Sequence, residues 1–376
     1  MIAASPGPDF MPASAPASAP ASVASGSAPA PASAPASAAS AKPSAPAASP
    51  ADVPTAGASD APVRGALCAA IDIGTVTARM LVALMGCDGS IHELARGYRI
   101  CNLGQGVDAT GVLRSDALDR VGRALEDFRS DLASFERSLG QRAAVRAIAT
   151  SAARDARNAS QLIELVRSLG IELQVASGHE EAGLCFAGVA HGFPDEALVV
   201  IDIGGGSTEV VAGTSASGVL SARSFDIGCR RATEKLLGEG APCPADIERL
   251  RCWVREQMAP HFADLRVRGL LDARLVGVAG TATTVVSVRE RMREYRSDLV
   301  HGAEVTRSEL RAITDRLAGL SLEQRREVAG LDPQRAGVIV AGLVIMEECM
   351  TLAAAPRYAV SESDVLQGII LAVASQ

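Results

Sequence analysis

The sequence predicts an α/β protein of two related lobes around a central cleft, preceded by an unstructured tail. Three observations carry that prediction. From about Gly65 onward, strand-like and helix-like segments alternate. One phrase is written twice, as AAIDIGTVTARMLVA from Ala69 to Ala83 and as LVVIDIGGGSTEVVAG from Leu198 to Gly213, about 130 residues apart. Before both copies, residues 1–66 are mostly Ala, Pro and Ser.

The tail has too few large apolar side chains to offset its ordering entropy, and its prolines interrupt helix and strand alike. It is expected to be disordered. It lacks the basic start and leucine-rich run of a secretion signal, since its first lysine is Lys42. A flexible extension and a misassigned start codon both remain open. No apolar run approaches the roughly 20 residues of a membrane helix, so a cytoplasmic chain without a membrane partner is expected. The net charge of −7 argues against a nucleic-acid binder, and any anionic ligand must be held by a local patch. The eight cysteines contain no CxxC pair, as expected for reduced thiols.

Along the folded part, CAAIDIGTVTARMLVALM reads as two strands about a tight turn. Leu118, Val121, Leu125, Phe128 and Leu132 fall at helical spacing in the next segment. AVRAIATSAARDA is a buried strand running into a helix. NASQLIELVRSLG is a helix closed by Gly170. IELQVAS is a strand and HEEAGLCFAGVAHG a helix. The second copy of the phrase repeats strand, turn and strand. ARLVGVAGTATTVVSV is a strand followed by a Gly-Thr turn, PQRAGVIVAGLVIMEECMTLA a long buried helix, and YAVSESDVLQGIILAVAS a strand with the final helix.

The repeat has a chemical rationale. An aspartate ending a buried strand can hold Mg²⁺ directly or through water. The glycine after it turns the chain sharply and lets a phosphate approach main-chain N–H groups, while a following Ser or Thr donates to phosphate oxygen. Two such hairpins facing each other would grip one phosphoryl group from both sides.

Further motifs occur in order: ATSAARDARN (149–158), SGHEEA (177–182), IDIGGGSTE (201–209), SFDIGCRRATE (224–234), VGVAGTATT (276–284), VHGAEVTRSEL (300–310) and VSESDVLQG (360–368). Together with the hairpins, over about residues 68–372, they resemble the Ppx/GppA family of exopolyphosphatases and guanosine pentaphosphate phosphatases, within the actin-like ATPase and sugar-kinase superfamily. The resemblance implies two actin-like (ribonuclease H-like) domains with a central cleft: residues 67–194, joined by the C-terminal helix at 362–376, and residues 195–361. Longer family members add a helical domain with an HD-type motif, so the chain resembles the short, two-domain form. A homodimer is an expectation from the resemblance alone.

The resemblance also implies hydrolysis of a terminal phosphate by a magnesium-assisted water, with Glu181 as base. Asp72, Asp202 and Glu209 would hold Mg²⁺, or Mn²⁺ in its place. Gly74, Thr75, Gly204, Gly205, Gly206 and Ser207 would line the two phosphate loops, with Gly280 and Thr281 a third. Arg79 and Arg154 would neutralise developing charge. Arg230, Arg231 and Lys235 could follow the anionic remainder of a longer substrate. The family's first loop reads Asp-x-Gly-Ser-Asn-Ser, whereas Val76 stands here at the Asn position. The substrate expected is inorganic polyphosphate, with guanosine pentaphosphate as the alternative. A kinase of the same superfamily and a non-catalytic sensor are the remaining readings.

Overall fold

The computed structural model describes residues 65–374, so the expectation of a disordered tail lies outside the described residues. In the first lobe β1 (Ala66–Ile73), β2 (Thr77–Met85) and β3 (Ile91–Ile100) form a meander. They are followed by α1 (Val107–Thr110), α2 (Ser115–Leu139), β4 (Ala144–Ala149), α3 (Ser151–Asp155), α4 (Ala159–Ser168), β5 (Leu173–Val175) and α5 (Gly178–Gly192). The second lobe opens the same way with β6 (Ala197–Ile203), β7 (Thr208–Thr214) and β8 (Gly218–Phe225). It continues through α6 (Cys229–Ala232), α7 (Pro244–Val267), β9 (Arg274–Val278), α8 (Ala279–Arg289), α9 (Ser297–Val300), β10 (Glu304–Thr306), α10 (Arg307–Ala318), α11 (Leu322–Arg326), α12 (Ile339–Leu352) and β11 (Arg357–Val360). Helix α13 (Val365–Ala374) follows.

The strand order is β3-β2-β1-β4-β5 in one sheet and β10-β11-β9-β6-β7-β8 in the other. In both, the first two strands pair antiparallel and the first also pairs parallel with the next strand on its far side. The repeated phrase is therefore a repeated piece of sheet.

Strand alternation explains the layering. Along β1, Ala69, Ile71 and Ile73 face a core shared with α2 and α4, while Cys68 and Ala70 face the opposite way. Along β6, Val199, Ile201 and Ile203 face a core built with α7, α8 and α12, while Leu198 and Val200 turn back. The two inner faces share one apolar core with α5 and α13, including Phe186, Val189, Leu366 and Ile370. Helices α5 and α13 meet at glycines: a Cβ on Gly188 would strike the main chain of Asp364, and one on Gly368 that of Leu184. The middle layer fixes where the ends of β1 and β6 stand relative to each other.

Two local expectations change. Residues 333–338 are not part of the long helix; they form tight i→i+3 turns, Ala336 N–H to Pro333 and Val338 N–H to Arg335, before α12 starts at Ile339. Gly280 and Thr281 lie in the first turn of α8 rather than in a loop, because Ala279 turns the chain from β9 straight into helix with φ of 59°. Among the described residues no helix is long and apolar enough to cross a membrane, and none of the eight cysteines forms a disulfide.

Candidate active site

Both repeated hairpins turn at their glycine in the same manner. Gly74 N–H donates to Thr77 O at 2.9 Å, and Gly204 N–H to Ser207 O at 3.0 Å. In register, Asp72 lies across from Arg79 and Asp202 across from Glu209. One position of the duplication therefore carries opposite charges in the two lobes. Asp72 Oδ2 accepts from Arg79 Nε at 3.0 Å and Nη2 at 2.7 Å, and Arg79 Nη1 also donates to Asp364, just ahead of α13. Glu209, 1% exposed, accepts from Ser224 Oγ at 2.6 Å.

Glu181 lies in the first turn of α5. A capping box between Ser177 and Glu180 fixes that helix start: Glu180 N–H donates to Ser177 Oγ, and Ser177 N–H to Glu180 Oε2 at 2.7 Å. The adjacent glutamates therefore divide their roles, Glu180 as cap and Glu181 toward the cleft. Arg154, from α3, donates to Glu181 Oε2 at 2.7 Å and to Ala176 O at 3.1 Å.

The carboxylates interact. Burial raises the Glu181 carboxyl to about 7, against the pull of Arg154 and helped by the charges of Asp72 and Asp202. Burial and then Asp364 raise Asp202 to about 6, and Asp72 shifts upward chiefly through burial. Glu209 is pushed well above the usual range by burial, Glu181 and Asp202. Five acidic groups thus share a region in which Arg79 and Arg154 are the cations that pair with them.

A divalent cation fits this surplus. Asp72 Oδ1 is buried without a hydrogen-bond partner. No group of three His, Cys, Asp or Glu side chains among the described residues is arranged to hold a metal by itself. An ion taking one or two carboxylates, with water and substrate oxygens around it, is the coordination that Mg²⁺ adopts and Mn²⁺ tolerates. Asp72 and Asp202 would be the residues to hold it, with Glu209 across the strand pair from Asp202.

The two hairpin loops touch. A Cβ on Gly205 would lie 2.7 Å from Val76 Cγ2 and 2.8 Å from Thr75 Cβ, and one on Gly206 would strike Ser151 Oγ. Only about 10 Å³ remains among Thr75, Ser151, Asp155, Gly206 and Arg231, space for about one water. Val76 is buried and packs with Cys229, Val338 and Ile100, so the residue at the family's Asn position forms an apolar seam between the lobes. Arg231 donates from the second lobe to Asp108 and Asp155 of the first, and through Nε to Gly206 O at 2.8 Å. Arg230 likewise reaches Asn102. Lys235 is engaged otherwise, its ammonium lying 4.6 Å from the centre of the Trp253 ring. Gly280 lies beneath the guanidinium of Arg335, which donates to Thr77 Oγ1 at 3.3 Å.

Asp364 and Arg335 had only weak sequence signals. Asp364 stands in VSESDVLQG, a motif without an assigned side chain, and Arg335 in a segment read as buried helix.

The profile of the Ppx/GppA phosphatase family matches residues 85–375. The chain belongs to the Ppx/GppA family. It is 37% identical to exopolyphosphatase 2 of Mycobacterium tuberculosis over 321 residues, covering 81% of this chain and 98% of that protein. It is 33% identical over 315 residues to a bifunctional 3-dehydroquinate synthase/phosphatase of Fusobacterium nucleatum, covering 81% of this chain and 46% of that one. Among solved structures, the Aquifex aeolicus Ppx/GppA protein superposes with a TM-score of 0.67 at 25% identity, covering 82% of this chain and 98% of that one. An exopolyphosphatase-like protein gives 0.69 at 29%, covering 81% and 98%. As a Ppx/GppA member the chain is a phosphoanhydride hydrolase with the actin-like fold.

Proposed function

We propose that this Ppx/GppA protein is an exopolyphosphatase that removes the terminal phosphate of inorganic polyphosphate. The observation that carries the reading is Glu181, a carboxyl raised to about 7 and tied to Arg154 beside two touching phosphate loops. The identity with the mycobacterial exopolyphosphatase 2 over nearly all of that protein supports the choice of substrate.

The terminal phosphoryl group enters between Thr75 and Gly204–Gly206 as the lobes part. Glu181 takes the proton of a water as its oxygen attacks phosphorus in line with the bridging oxygen. The new P–O bond forms, the bridging P–O bond breaks, and orthophosphate and a chain shorter by one phosphate leave. Main-chain N–H groups of both loops stabilise the equatorial oxygens. Asp72 and Asp202 would hold Mg²⁺, which when bound would supply charge neutralisation for the phosphate oxygens. Arg79 keeps Asp72 and Asp364 together, and Arg154 aims Glu181. The unpaired thiols suit a reducing compartment, and we place the activity in the cytoplasm.

Phosphate release is measured with Mg²⁺ and either polyphosphate, guanosine pentaphosphate, or ATP with sugar acceptors. Release fastest from polyphosphate, and lowered at least about a hundredfold in Glu181→Gln, supports the proposal. A higher kcat/KM on guanosine pentaphosphate, or transfer from ATP to an acceptor, overturns it.

A further inference from the structure

A second cavity, of about 270 Å³, opens at the lobe boundary next to the cleft. Arg230 lines both spaces. The cavity wall adds Asn102 and Gln105 from the first lobe and Glu239, Arg326 and Gln334 from the second. It therefore exists only because the lobes meet.

Its chemistry is that of an oxyanion site. Arg230 is 5% exposed, and its Nε–H has no hydrogen-bond partner. Its Nη1 forms long ion pairs with Glu234 at 3.6 Å and Glu239 at 3.5 Å, which leave Nε–H unused. Arg326 is exposed and forms no ion pair among the described residues. Three carboxamides add N–H donors. Glu239 is the single carboxylate in the wall, and it is already turned to Arg230. The wall is stiff, because the neighbouring Arg325, 1% exposed, ties the carbonyls of Glu239 (2.6 Å), Gly240 and Ala336 (3.0 Å) together.

We infer that this cavity is a distal phosphate subsite, which holds inner phosphates of a long polyphosphate chain while its end lies between the phosphate loops. The inference rests on the exopolyphosphatase reading and extends it to chain length. Arg230 links the terminal and distal spaces. Guanidinium groups and amide donors at Arg326, Gln105 and Gln334 bind phosphate oxygens. A substrate too short to pass Arg230 gains nothing from Arg326.

The test compares long-chain polyphosphate with tripolyphosphate. In Arg326→Ala, the ratio of kcat/KM on the long chain to that on tripolyphosphate falls about fivefold, the most an exposed charge pair contributes. Gln334→Ala lowers it less, and Arg326→Lys restores most of it. Direct binding of both ligands to Glu181→Gln, with and without Arg326→Ala, gives the same ratio without turnover. An unchanged ratio in both assays, or an equal loss for both ligands, overturns the distal subsite. If the unaltered chain fails to hydrolyse polyphosphate, the proposed function falls, and the binding ratio alone decides the subsite.

Discussion

Arg154 Nη1 lies 2.7 Å from Glu181 Oε2, joining the end of α3 to the start of α5. The pair links two motifs that are 27 residues apart in sequence. Burial nevertheless prevails over the guanidinium, and the carboxyl is raised to about 7. A carboxyl with that value is half deprotonated near neutrality, the condition a general base needs for efficient proton transfer.

Replacing Glu181 by Gln removes the base and keeps the shape. Turnover should fall by about a hundredfold to ten-thousandfold, with a thermal melt close to that of the unaltered chain. Steady-state phosphate release and calorimetry check this. Turnover that stays within a few-fold would place the base elsewhere.

The acid limb of the pH–rate profile should report Glu181. With Glu181 as the proposed base, kcat/KM should rise with pH through about 7. Arg154 lowers that value, so Arg154→Ala should move the limb to higher pH, and Arg154→Lys should move it part of the way back. A limb that stays in place in Arg154→Ala would separate Arg154 from the base.

The acidic cluster should appear in stability. Glu181 and Asp202 are raised to about 7 and about 6, above the ordinary carboxyl range of an unfolded chain. A raised carboxyl gives its full stability below the unfolded value and loses it as pH rises through the folded value. Without divalent ions, Tm should therefore fall between about pH 4 and pH 7. Mg²⁺ at about 100 times its dissociation constant adds about 2.7 kcal/mol, and the gain should be larger at pH 8 than at pH 5. Asp202→Asn should raise the metal-free Tm at pH 8 and blunt the response to Mg²⁺.

The contact between the loops leaves no room for a methyl group at Gly205, where a Cβ would meet Val76 and Thr75. Gly205→Ala should lower kcat/KM at least tenfold by holding the loops apart, with a Tm change of only a few degrees because the cores of both sheets lie elsewhere. A kinetic and melting comparison decides between this and a purely structural role.

At the α5–α13 crossing the balance reverses. A Cβ on Gly188 would strike the main chain of Asp364, which cannot move without disturbing the ion pair with Arg79. Gly188→Ala should cost about 1–3 kcal/mol by overpacking, read as a lower urea midpoint, and should reduce activity in the fraction that stays folded.

Much of the chain's organisation was legible before folding. Strand alternation around Asp72 and Asp202, the glycine after each, and helical spacing at Leu118 to Leu132 are local signals, because side-chain direction in strands and helices follows from backbone geometry alone. The two glycine loops and Glu181 could be singled out as candidates for the same reason, since their motifs are short and contiguous. The pairings were not legible. Arg79 with Asp364, Arg231 with Asp108 and Asp155, Arg335 above Gly280, and Val76 against Cys229 and Val338 join residues distant in sequence.

The sequence by itself determined two similar Asp-Gly hairpins, an α/β pattern and a glutamate at a helix start, because those are properties of neighbouring residues. Only the tertiary structure decided that the loops touch, that α13 delivers Asp364 beneath Arg79, and that a polar cavity adjoins the cleft. Those facts depend on how two sheets pack across α5 and α13, and burial and charge at such a junction are sums over groups that no local stretch of chain contains.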